Sequence, residues 1–193
     1  MSAAALAYWT RAFHPSAASR GTQETTMSNT ISYDPTLGPD VPQGDILLTS
    51  LRHPTFAGRW ADRAPCGTPE RTREGAIRLL EGEVTGHFHE VVFGSRALAR
   101  FRDDGLARDL AAAAPVAIGT ASLVRDDVLL ADLIRSGHWH ERARTLHIGF
   151  LIVEGGPVDL IHPEHDTWRL PEGLYAVGRQ IESAGADERL IAD

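Results

Sequence analysis

Apolar residues run along this chain in short blocks more often than at helical spacing. "DILLTSL" (45 to 51) has the length and content of a buried strand. "AIRLLEGEV" (76 to 84) and "GHFHEVVF" (86 to 93) read as two further strands around a tight turn, followed by "ALARFRD" (97 to 103). The period then changes. "LARDLAAAA" (106 to 114) and "RDDVLLADLIRSG" (125 to 137) carry helical spacing. In the second, Asp126 is placed to cap the start and Gly137 to close the end in a left-handed conformation. Strand character returns in "TLHIGFLIVEG" (145 to 155), "PVDLIH" (157 to 162) and "LYAVGRQIE" (174 to 182). Strands, two helices, then strands predict an α+β or mainly β fold: a single compact β-rich domain over 42–193 with the two helices in a central insertion.

The flanks differ. Residues 1 to 26 are rich in small residues, with Glu24 their only acid, and the apolar run breaks at Arg11 and His14, too soon for a secretory core or a membrane span. Together with the Pro- and Gly-marked stretch after Met27, a candidate start, residues 1–41 are expected to be a disordered extension and lead-in. The polar, proline-punctuated stretch from 52 to 74 is expected to be a long surface loop.

Charge removes several function classes. The formal net charge is -7, and the longest basic cluster, "HERAR" (140 to 144), is answered by its own Glu141, so neither nucleic acid nor an anionic membrane is an expected partner. All 19 basic residues are arginine. Schiff-base chemistry, a pyridoxal-phosphate anchor and a P-loop lysine are therefore excluded. The one cysteine, Cys66, can form no internal disulfide or CxxC pair and fits a reducing, cytoplasmic setting. No GxSxG, HExxH, GxGxxG or DxDxDG pattern is present.

Histidines supply the candidate chemistry. On an extended strand, His87 and His89 point to one face and Phe88 to the other, so the pair can grip one ion at the 2.0–2.1 Å typical of zinc–imidazole bonds. A similar pentapeptide, "GHWHE" (137 to 141), follows the helix cap. No regular strand aligns His138 with His140 there, and Trp139 reads as a packing anchor. Further ligands are offered by "IHPEHDTW" (161 to 168), where the His162-Pro163-Glu164-His165 turn sets two histidines side by side, with Glu164 and Asp166 as spare carboxylates. Glu83 and Glu90 read as solvated strand-end acids. Arg179 shares strand parity with Tyr175 and Val177 and suits an ion pair or an anion contact.

"PQGDILL" (42 to 48), "EGEVTGHFHEV" (81 to 91), "HPEHDTWRLPEGLYAVGRQIE" (162 to 182) and the C-terminal "RLIAD" carry a resemblance. The chain resembles a set of small bacterial proteins with a recurrent GHxH, HxEH, then LPxGxYxVxRQxE pattern. The resemblance implies that His87, His89, His162 and His165 belong to one shared design, and it implies no particular activity. The segment from about 94 to 146, with its second GHWH, is longer here than that pattern requires. Cupins also use an HxH strand, but their acidic and second histidine positions fall here on Phe93 or Gly94 and on the histidine-free "LPEGLYAV".

Two function classes follow. In one, the protein is a small metal-binding accessory or interaction protein in which a histidine site staples a β-fold that docks on a protein partner. In the other, it is a metal-dependent enzyme, hydrolase or oxygenase-like, with Glu164 moving protons beside the ion. An imidazole shell suits a divalent transition metal, zinc or iron foremost, then nickel or copper.

Overall fold

A computed structural model of the chain describes residues 30–56, 60, 63–67, 69, 75–81, 87–94, 119–184 and 187–190. Twelve strands are present among them: β1 (Thr30–Ser32), β2 (Asp40–Gln43), β3 (Ile46–Ser50), β4 (Ala76–Glu81), β5 (Phe88–Val92), β6 (Thr120–Val124), β7 (His147–Glu154), β8 (Val158–His162), β9 (His165–Leu170), β10 (Gly173–Arg179), β11 (Ile181–Ala184) and β12 (Asp187–Leu190). The helices are α1 (Asp127–Arg135) and α2 (Ala143–Leu146). The first sheet runs β1-β9-β8-β5-β4 and the second β2-β3-β10-β7-β6, while β11 and β12 pair separately.

The two five-stranded sheets enclose the main core. Val91, Val158, Leu160 and Leu170 of the first meet Ile46, Leu48, Leu151 and Val177 of the second. Strand alternation explains the second core. Residues of opposite parity in the second sheet, Phe150, Leu174 and Ala176, point to its outer side and are covered by Leu129 and Leu133 of α1 together with Phe56, Trp60 and Trp139. β10 is therefore buried on both faces, which is why "GLYAVG" is an uninterrupted run of small and apolar residues.

α1 begins and ends where the sequence predicts. The Asp126 carboxylate accepts the Leu129 N–H at 2.8 Å and the Cys66 N–H at 2.7 Å, while Gly137 closes the helix at φ 76°. Other boundaries differ. The strand expected from 145 starts at His147, because residues 143–146 form a helical turn. That expected over 174–182 breaks at Gln180, whose N–H donates to Asp45 O. Within the expected lead-in, β1 pairs in parallel with β9 and β2 pairs with β3. The 52–74 stretch includes a 3-10 turn, Pro54–Phe56, with Phe56 buried, and a bridge from Pro69 to Val124. The strand and helix expected over 97–103 and 106–114 lie outside the described residues.

Candidate functional site

Three local devices aim the histidines at one end of the layer between the sheets. On β5, His89 shares parity with the core residue Val91 and is fully buried. Phe88 and Glu90 point away, where the Arg78 guanidinium lies 3.9 Å over the Phe88 ring and pairs with Glu90 at 3.0 Å. On β8, His162 shares parity with Leu160 and is also buried. A two-residue turn, Pro163-Glu164, then brings His165 opposite His162.

The third device is a β-bulge. Up to Leu160 and Trp168, β8 and β9 pair regularly, but His162 then faces His165 rather than Asp166. The extra residue reverses the parity of β9, so His165 joins the inner face while Asp166 is exposed. A second bulge lies in β4, between Arg78 and Leu80, directly opposite His89. Bulges concentrate beside sites where a side chain must be re-aimed. Here two of them flank the same four imidazoles.

The rings meet closely. His89 stacks on His162 with centroids 4.2 Å apart, His162 on His165 at 4.6 Å, and His87 sits edge-on to His162 at 5.9 Å. The cluster grades from dry to wet. His89 is closed off, whereas the His87 side chain is 41% exposed and stands 3.5 Å from Glu164, which is 47% exposed. Among the described residues no three His, Cys, Asp or Glu side chains are arranged at ion-holding geometry. His89, His162 and His165 lie face to face and His87 stands edge-on, so taking an ion requires turning some of the rings about their side-chain torsions. The contact that Glu164 N–H makes to His162 Nδ1 is long, 3.3 Å, and offers little resistance.

Two residues outside the sequence-derived set complete the site. The second sheet sends in the β2–β3 turn, Gly44-Asp45, with Gly44 in the left-handed region at φ 55°. Gln43 and Asp45 are both buried at 3% exposure. Gln43 Nε2 donates to Asp166 O at 2.8 Å and to Leu160 O at 3.3 Å. Its Oε1 stands 3.1 Å from His89 Nδ1. Asp45 Oδ1 approaches His89 Nε2 to 2.6 Å. The sequence signal was an acid and an amide immediately ahead of a buried strand, "QGDILL", which turn chemistry accounts for equally well.

The remaining candidates fall elsewhere. His138 packs against Phe56 and Trp60, with centroids 5.4 and 6.3 Å away, Trp139 is buried against Phe150, and the exposed His140 accepts the Arg142 N–H at 3.2 Å. Cys66 is exposed. Arg179 is half-buried and pairs in register with Ile46, one strand beyond Gln43. Glu83 lies outside the described residues. No helix among the described residues is long and apolar enough to cross a membrane. Compared with protein-family models, curated proteins and solved structures, the chain matches none.

Proposed function

We propose that this is a metal-binding accessory or interaction protein, in which His87, His89, His162 and His165 take up one divalent transition ion, zinc or iron foremost. One observation carries the reading: four imidazoles from β5, the segment just before it, β8 and β9 crowd together at the rim of an otherwise apolar layer, with two bulges beside them. An apolar core gains nothing from such a group, because each ring nitrogen brought there must be satisfied. A shared cation satisfies several at once. The ligands need neutral imidazoles, so affinity falls as pH drops below their reference value of about 6.5. The cysteine usage fits a cytoplasmic setting.

Elemental analysis of protein purified without a histidine tag tests this directly. One equivalent of metal is expected, lost in both His89→Ala and His165→Ala and retained in His138→Ala and His140→Ala. Loss in the latter pair with retention in His165→Ala would overturn the assignment, and no metal in any preparation or titration would end it.

The half-exposed His87–Glu164 pair supports a second reading, a hydrolase or oxygenase-like enzyme. An ion at the wet edge of the cluster keeps a position open to water, and Glu164 stands ready to move a proton there. Azide added to the Co2+-loaded protein separates the two: a changed visible spectrum signals an open position and the enzyme, an unchanged one a closed structural site.

A further inference from the structure

Residues 125–146 leave the second sheet at the end of β6 and return to it at the start of β7, two neighbouring strands in which Val124 pairs with Phe150. Between them, α1, the GHWHE turn and α2 form one excursion over the outer side of that sheet. Leu129, Leu133, Trp139 and Ala143 rest there on Phe150, Leu174 and Ala176. The two roots of the excursion stand side by side, the construction of a flap.

His147 is the residue on which this flap rejoins the sheet. Pairing with β10 passes from Gly149 with Val177 to His147 with Gly178, so Ile148 is an extra residue. The bulge sends Ile148 to the inner core and turns His147 to the outer side, where Phe150 lies. The imidazole thus sits between sheet and flap, its centroid 4.5 Å from that of Phe150 and 5.9 Å from that of Trp139. Both ring nitrogens are shut off from water. A phenylalanine would suit this place at any pH, whereas a histidine suits it only while neutral.

The charged groups around the ring leave that preference in place. Burial outweighs Asp127, which favours the cation, while Arg125 opposes it, and the His147 pKa is held down at about 4 against an ordinary 6.5. In the turn, His138 is directed at Phe56 and Trp60, and His140 and Glu141 are exposed, as are Arg142 and Arg144 beside them. β10 presents only Val177 and Gly178. Acids fasten the flap elsewhere, and they keep their charge in mild acid. Against the effect of burial, the N–H groups of Leu129, Cys66 and Val128 together with Arg63 hold Asp126 below 3.8, and Arg63 and Arg135 do the same for Asp132.

We infer that residues 125–146 are an acid-released flap with His147 as its latch: the protonated ring reaches water by lifting Trp139 away from Phe150, which uncovers the outer face of the second sheet. The latch lies on the opposite side of that sheet from the four-histidine cluster and works whether or not the cluster holds an ion.

Hydrogen exchange of the full chain tests this, read as protection factors so that the intrinsic pH dependence of exchange cancels. With the ring at about 4 when closed and at 6.5 when open, protection in α1 should fall by up to about 60-fold from pH 7 to pH 4.5, well beyond any loss in β8. In His147→Phe the α1 loss should stay under about threefold. An equal α1 loss in both proteins would overturn the latch, and an α1 loss no greater than that of β8 would overturn the flap, since the whole sandwich would then be opening. A second arm needs no variant: nuclear magnetic resonance of the wild type should show the His147 ring titrating near 4. Titration near 6.5 with α1 protection unchanged would show that the ring reaches water without lifting anything, and would overturn the inference.

Discussion

The two GHxHE pentapeptides agree in four of five letters and serve opposite purposes. In the first, the extended backbone of β5 and the residue before it sends His87 and His89 toward His162 while Phe88 turns outward under Arg78. In the second, the chain is leaving α1 through a left-handed Gly137, with the His138 and Trp139 N–H groups both directed at Leu133 O. That turn drives the aromatic residue inward and leaves His140 outside. The motif's chemistry thus belongs to the backbone that carries it. A strand makes the histidines the inward pair, and a helix cap makes the tryptophan the inward residue.

Substitutions can break this contrast at either copy. The largest expected loss is at the second: Trp139→Ala empties a fully packed site and should cost about 3–5 kcal/mol in urea denaturation, and the proposed metal content should be the same as in the wild type. At the first copy the aromatic counts for less. Phe88→Ala should cost about 1 kcal/mol, mostly its contact with Arg78. A Phe88 loss larger than that of Trp139 would reverse the contrast.

A half-buried histidine sharpens the comparison from the apolar side. His147 opens β7 beside a bulge, packed against Phe150 and Trp139 with centroids 4.5 and 5.9 Å away. Its ring nitrogens are buried and have only a poorly aligned contact to the Val177 backbone. Burial, reinforced by Arg125 against the opposing pull of Asp127, pushes its pKa down to about 4. The unfolded chain binds this proton near the ordinary 6.5, so the contribution is complete above that pH and declines as pH falls toward 4, by about 3 kcal/mol in all. Chemical denaturation at pH 7 and pH 4 should show the decline in the wild type and a reduced one in His147→Phe. Equal slopes in both proteins would remove His147 as the cause. The smallest effect belongs to His140→Ala, within about 0.5 kcal/mol by the same measurement, since the ring is exposed.

Sequence alone carried the local geometry a long way. Side-chain parity at 87–89, the Asp126 and Gly137 caps and the HPEH turn are set by residues within a few positions of one another, and each is seen as expected. What failed depends on pairing at a distance. "DVPQ" contains a proline and "HDTWRL" no clean alternation, so neither announces a strand. Both become strands because β3 and β8 supply the missing hydrogen-bond partners. The bulge in β9 breaks the period on which a parity argument relies. Gln43 and Asp45 were hidden for the same reason: their meaning comes from His89, 46 residues beyond Gln43, across the gap between two sheets.

Those separations also say when the site exists. The Gln43 side chain joins Leu160 and Asp166, 117 and 123 residues away, while holding His89 in place. Contacts this remote close large loops and are expected to form after the local hairpins. An occupant of the cluster is therefore expected to slow unfolding more than it speeds folding, a difference that unfolding and refolding rates measured with and without added zinc would check. The Gln43 bridge is placed as a latch at that end of the sandwich, and Gln43→Leu is expected to speed the parting of the two sheets more than it slows their assembly.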